Sequence, residues 1–192
     1  MGTTQPIKDI NNLEQLKNYY LNEKRNLRNY ALICTGLNTA LRISDLLSLT
    51  WDQVYHIPSK TFLSHITLTE QKTQKHTMVA LNHASIQALS LYLESISPIS
   101  RNQYIFKVRT RNKPICREQA FRIIRQAWDS LNLPGTISCH SLRKTFGYHA
   151  WANGTNPALL VAIYNHSSYA ITKRYLGIEQ EDKDQVFLHL EL

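Results

Sequence analysis

Over most of this chain apolar residues recur every three or four positions, the spacing of a helix with one buried face. Leu13, Leu16 and Tyr20 share a face of a helix predicted over residues 11–21, and Leu27, Ala31 and Cys34 a face of a second over 25–38. A short helix over 43–49 turns Ile43, Leu46, Leu47 and Thr50 inward. The pattern then changes. Residues 61–69 are rich in β-branched and aromatic side chains and predict a strand, 78–81 predict its partner, and 70–76 form the hairpin turn between them. Ile86, Leu89, Leu93 and Ile96 restore helical spacing over 82–96. Residues 104–108 predict a third strand, closed by the turn-like Arg111-Asn112-Lys113-Pro114, and 117–131 a helix burying Phe121, Ile124 and Trp128. Three further helices follow over 141–152, 157–164 and 168–176. Asn153-Gly154 stops the first of these and Pro157 starts the second; Asn165 suits a left-handed C-cap and Ser167 an N-cap for the third. The expectation is one α+β domain, mostly α, over 1–192, with a small three-stranded antiparallel sheet.

Composition narrows the class. A chain of 192 residues can bury a real core, and 43% hydrophobic against 19% charged residues excludes a disordered polymer. No apolar run nears the roughly 20 residues that span a bilayer, and residues 1–10 lack the apolar stretch of a secretory signal, so no membrane partner is expected. Cys34, Cys116 and Cys139 are odd in number and widely spaced, which argues against a disulfide framework or a zinc site and for a reducing cytoplasm. The net charge of +8 favours a polyanionic partner. Between residues 101 and 125, Arg101, Lys107, Arg109, Arg111, Lys113, Arg117, Arg122 and Arg125 stand against the single acid Glu118. Such a run is either a solvated surface or one that tracks phosphates, the second being preferred. After Tyr175 the bias reverses: Glu179, Glu181, Asp182, Asp184 and Glu191 accompany the apolar Val186, Phe187, Leu188, Leu190 and Leu192. Phosphate would repel this tail over 178–192, which is expected to pack on protein, either its own core or a neighbouring subunit.

Candidate chemistry sits in four short segments. Thr39-Ala40-Leu41-Arg42-Ile43-Ser44-Asp45-Leu46-Leu47 sets a lone arginine in an apolar helical pattern, where it needs an anionic partner; Asp45 at i+3 is the candidate. Glu70-Gln71-Lys72-Thr73-Gln74-Lys75 offers two lysines in one turn, Lys72 being preferred for chemistry. His140-Ser141-Leu142-Arg143 places imidazole and guanidinium on one helix face. Asn165-His166-Ser167-Ser168 leads on to Arg174-Tyr175. Each segment alone also has a structural reading, and His149 is read as structural. Together they supply groups that can hold a phosphodiester and attack it with a tyrosine oxygen.

In order and in spacing these boxes resemble the catalytic domain of the tyrosine recombinase (phage integrase) family, from about Ile7 to Gly177. The resemblance implies a helical recombinase catalytic domain with Arg42, Lys72, His140, Arg143, His166 and Tyr175 as its catalytic set and Tyr175 as nucleophile. It implies a covalent 3′-phosphotyrosyl intermediate, hence neither a cofactor nor a metal. The arginines would clamp the phosphate, Lys72 would protonate the leaving oxygen, His140 would exchange a proton with the nucleophile, and His166 would hydrogen-bond to the phosphate. Lys75, Arg109, Arg111, Lys113 and Arg117 are candidates for DNA binding. The implied partners are double-stranded DNA, further copies of the chain in a tetrameric synapse, and accessory DNA-bending proteins, in a bacterial setting. Two residues depart from the family pattern. Ala40 stands where glycine is usual, its methyl expected to remove nothing chemical, and Tyr164-Asn165 stands where many members have Leu-Gly. Few residues precede Arg42, so the chain is expected to be either a fragment or a short form lacking the N-terminal core-binding domain. A type IB topoisomerase, or a DNA-binding regulator that keeps the fold without cutting, are the alternative readings.

Overall fold

Helix α1 (Ile10–Asn18) begins where the Asp9 carboxylate accepts the Asn11 N–H, and it runs into one wide turn over Tyr19–Glu23. The computed structural model describes residues 4–190, without the side chains of 181 and 185. Glu191, Leu192 and the side chain of Glu181 therefore lie outside the described residues. Helix α2 (Leu27–Thr39) forms the spine of the fold. Ala31, Leu32 and Ile33 on it are fully buried, and it packs against α4 (His83–Ile96) and α6 (Cys139–Ala152). Helix α3 (Ile43–Leu47) follows directly, and α5 (Arg117–Ser130) rests against both α3 and α6.

The sheet differs from the expectation. Among the described residues two separate antiparallel pairs form: β1 (Tyr55–His56) with β2 (Thr61–Phe62), and β3 (His65–Thr69) with β4 (His76–Ala80). The strand predicted over 61–69 is broken at Leu63 and Ser64, whose backbones bond to Val54 and Leu81 instead. The third strand, over 104–108, is not formed. Ile105 and Phe106 are both fully buried, so the segment lacks the alternation of a half-exposed strand, and it contributes only isolated bridges from Tyr104 to Thr50 and from Lys107 to Pro114. Phe121, expected inside, is 40% exposed, because α5 turns Ala120, Ile124, Ala127 and Trp128 to the core.

Three short helices close the chain: α7 (Pro157–Tyr164), α8 (Tyr169–Leu176) and α9 (Gln180–His189). Pro157 occupies the first turn of α7, Gly154 takes φ +79 after α6, and Asn165 is the left-handed C-cap at φ +56. The N-cap of α8 is Ser168 rather than Ser167: it is the Ser168 hydroxyl that accepts the Ile171 N–H. Residues 4–8 lie across α6, with Ile7 N–H donating to Thr145 Oγ1 at 2.8 Å and His149 Nε2 2.9 Å from the Ile7 carbonyl oxygen, the structural role read for His149. Asp182 roots α9 by pairing with Lys8 at 2.9 Å and accepting the Tyr148 hydroxyl at 2.7 Å. Beyond that root Val186, Phe187, Leu188 and Leu190 are all exposed.

Candidate active site

The site grows from the end of α2. Ala40 caps that helix in the left-handed conformation, at φ +53. The methyl of Ala40, which removes no chemical group, therefore sits where a side chain is unfavourable by about 1–2 kcal/mol. The reversal aims the Ala40 carbonyl at α6 and leaves Arg42 as the extended N-cap of α3 (φ −66, ψ 148). Arg42 is half-buried, and its Nη1 lies 2.7 Å from Glu70 Oε2. Asp45 is not its partner. The i,i+3 pairing needs both residues in the helix, and Arg42 precedes it; the Asp45 carboxylate instead accepts the Gln71 N–H at 2.9 Å.

Helix α6 supplies two further groups. Arg143 is buried (5% exposed), donates to the carbonyls of Ala40 and Tyr164, and stacks on the Tyr164 ring with Cζ 4.7 Å from its centroid. Tyr164 locks the arrangement by donating its hydroxyl to the Arg143 carbonyl at 2.6 Å. The ring reaches this position because α6 has Gly147 there: a methyl at 147 would overlap the Tyr164 hydroxyl and the Leu176 side chain. His140, three residues before Arg143 on the first turn of α6, has Nε2 3.4 Å from Arg117 Nη2. Desolvation, followed by the charges of Arg117, Lys144, Arg143 and Lys72, pushes His140 below the usual imidazole range of 6.5.

The left-handed Asn165 turns the chain so that His166 and α8 close on Arg143. His166 Nδ1 is 3.0 Å from Thr172 Oγ1, and its ring meets Tyr175 edge to face at 5.3 Å between centroids. Burial, with Arg143 and Arg42 adding to it, lowers the His166 pKa as well. Tyr175 is half-buried. Tyr164 packs on one side at 5.3 Å, and the ammonium of the buried Lys144 lies 5.3 Å from the Tyr175 ring centroid. Burial raises the Tyr175 phenol above 10.0, while Arg143 beside the hydroxyl and the more distant Arg42 oppose that rise.

The fold thus brings Arg42, Arg143, His166 and Tyr175 into one cluster, with His140 at its rim. Lys72 stands exposed in the β3–β4 turn, close enough for its charge to reach His140. Lys75 donates to the Asn165 side chain at 2.7 Å, joining that turn to the segment that carries His166. Of the basic run, Arg117 lies at the site. Arg109, Arg111 and Lys113 do not: Arg28 at the start of α2 holds the Lys107 carbonyl, so their loop is at the opposite end of that helix, roughly 20 Å from Ala40 at its ordinary rise. Three neighbours escaped the reading of the sequence, namely Glu70, Lys144 and Tyr164. For Glu70 a signal existed, since Ile66, Leu68 and Glu70 continue one inward-facing alternation and only the last is charged.

The family model described as the phage integrase family matches residues 8–182. The chain is 41% identical over 182 residues to the probable integrase/recombinase YoeC of Bacillus subtilis (strain 168), covering 94% of this chain and 93% of that one. It is 24% identical over 163 residues to the tyrosine recombinase XerD of Staphylococcus aureus (strain Mu50 / ATCC 700699), covering 83% of this chain but spanning only 53% of that relative. Among solved structures the fold is similar to that of XerA recombinase, with a TM-score of 0.78 at 19% identity over 100% of this chain and 66% of that one. It is also similar to XerH site-specific recombinase bound to palindromic difH substrate, at 0.75 and 16% identity over 96% and 52%. With a family match over nearly its whole length and a close relative of almost its own size, the chain belongs to the phage integrase family of tyrosine recombinases.

Proposed function

We propose that the protein is a site-specific DNA recombinase that cleaves and rejoins duplex DNA through a covalent 3′-phosphotyrosyl bond at Tyr175. The observation that carries this reading is the packing of the Tyr175 phenol against Arg143 and His166, within the field of Arg42. Arg42 and Arg143 each offer a planar fork of donors to the non-bridging oxygens of a phosphodiester. Charge on those oxygens grows toward the pentacoordinate transition state, so the clamp binds that state more tightly than the ground state. His166 donates to the same phosphate. The Tyr175 oxygen attacks phosphorus and its proton passes to His140, whose lowered pKa supports a neutral, accepting imidazole. The bond from phosphorus to the 5′-oxygen breaks as Lys72 protonates that oxygen. One phosphate ester replaces another, so neither metal nor nucleotide is required, and a 5′-hydroxyl from another strand reverses the step.

Double-stranded DNA as partner is supported by the net charge of +8 and by Arg117 at the rim of the cluster. Assembly into a tetrameric synapse, with the apolar end of the 178–192 tail packed on a neighbouring protomer, is supported by the exposure of Val186, Phe187, Leu188 and Leu190. Accessory DNA-bending proteins and a bacterial cytoplasmic setting belong to the same reading. The test is a suicide duplex nicked so that the released 5′-end diffuses away. A covalent protein–DNA adduct is expected from the parent chain and none from Tyr175→Phe; the absence of adduct from the parent, or its survival in the variant, contradicts the proposal.

A further inference from the structure

A carboxylate beside a phosphate-binding site is an electrostatic liability, and a buried ion pair does not by itself stabilise a fold. Glu70 is both: 4% exposed and 2.7 Å from Arg42. Its other contacts explain the placement. The same oxygen, Oε2, accepts the Thr73 hydroxyl from across the β3–β4 turn. The Glu70 backbone closes that turn at both ends, its N–H donating to Lys75 and its carbonyl accepting Gln74 N–H, each at 2.9 Å. Lys72 lies between Glu70 and Thr73. A lysine on a hairpin tip has a long flexible stem and no fixed position of its own. Here one carboxylate holds the base of that tip against the first arginine; burial would raise its pKa, but the Thr73 hydroxyl and the Arg42 and Arg143 guanidiniums outweigh burial and keep it charged.

We propose that Glu70 is a positioning residue for the proton-donor step: it registers the Lys72 turn on Arg42, so that the ammonium meets the 5′-oxygen of the phosphate that Arg42 holds. This inference rests on Lys72 being the proton donor, and the test separates the two. In a duplex whose scissile phosphate carries a 5′-bridging sulfur, the leaving group is a thiolate, which departs without a proton. Single-turnover cleavage by Glu70→Gln on the ordinary duplex is expected to fall at least about ten-fold, and on the sulfur duplex to return to within about three-fold of the parent, as Lys72→Ala also does. If Lys72→Ala recovers and Glu70→Gln does not, or if Glu70→Gln shows no loss, the role of Glu70 is overturned and that of Lys72 stands. If neither variant recovers, the proton-donor role of Lys72 fails and the proposal fails with it. Should Glu70→Gln not fold, Thr73→Val carries the same comparison, since it removes one contact to Oε2 and leaves every charge in place.

Discussion

At the scale of single residues, the site is a set of charges held in place by backbone. Among the described residues Arg143 has no carboxylate as hydrogen-bond partner; its guanidinium is oriented by the carbonyls of Ala40 and Tyr164 and by an aromatic face. Its positive charge is therefore not neutralised by an acid bonded to it. Removing such a donor costs on the order of 3 kcal/mol in barrier, so Arg143→Ala is expected to lose about a hundred-fold or more in cleavage rate with DNA affinity changed far less. Ala40 follows a different balance. Relief of left-handed strain by Ala40→Gly, about 1–2 kcal/mol, is offset by a freer unfolded chain and one lost buried methyl at about 0.8 kcal/mol. Denaturant unfolding of Ala40→Gly is thus expected to lie within about 1 kcal/mol of the parent. The histidines set the pH response. Both His140 and His166 have folded pKa values below the unfolded 6.5, so the unfolded chain binds their protons more readily. Stability is then fully expressed above 6.5 and declines as pH falls below it. Cleavage should show an acid limb whose midpoint is below 6.5, and an acid limb centred above that value would remove His140 as the proton acceptor.

At the scale of elements, close approach decides the geometry. Gly147 lets α7 and α8 press on α6, which is what delivers Tyr164 and Tyr175 to Arg143. Gly147→Ala is expected to lower stability by about 1–3 kcal/mol in chemical denaturation and to reduce cleavage further than stability alone explains. The helices up to α8 were legible in the sequence because their apolar spacing records which face is buried, and the caps at Pro157 and Asn165 were legible because only a few residue types suit those backbones; α9, in a segment read only as a tail, was not. The segment over 104–108 was not. Apolar, aromatic residues there suit a strand, but Ile105 and Phe106 are both inside and the chain crosses the core between turns. Motif order identified the catalytic candidates, whereas the partner of Arg42 depended on which residue caps α3 and on a hairpin folding back from far along the chain. Local spacing does not encode that contact.

At the scale of the whole molecule, two features of the surface make predictions: its excess of cations and the exposed apolar end of α9. The excess of cations predicts a binding constant for duplex DNA that falls linearly with salt on logarithmic axes. Arg117, beside His140, should contribute about one unit of that slope, so Arg117→Ala is expected to flatten it by that amount across unrelated sequences. The end of α9 is a different kind of surface, exposed and apolar. A chain stopped after residue 185 keeps the Asp182 anchor and loses the exposed Val186, Phe187, Leu188 and Leu190. If those residues join protomers, light scattering of the complex with DNA should show smaller assemblies for the shortened chain while single-site binding is retained.

The proposed chemistry converges on one oxygen atom, the Tyr175 phenol. Digestion of the adduct trapped on the suicide duplex, followed by mass spectrometry of the peptide that retains the nucleotide, identifies the residue bonded to phosphorus. With trypsin, which cuts after Arg174, the expected result is the peptide beginning at Tyr175, with the phosphate on that phenol. A nucleotide found on Tyr164, Tyr169 or any other side chain would contradict it.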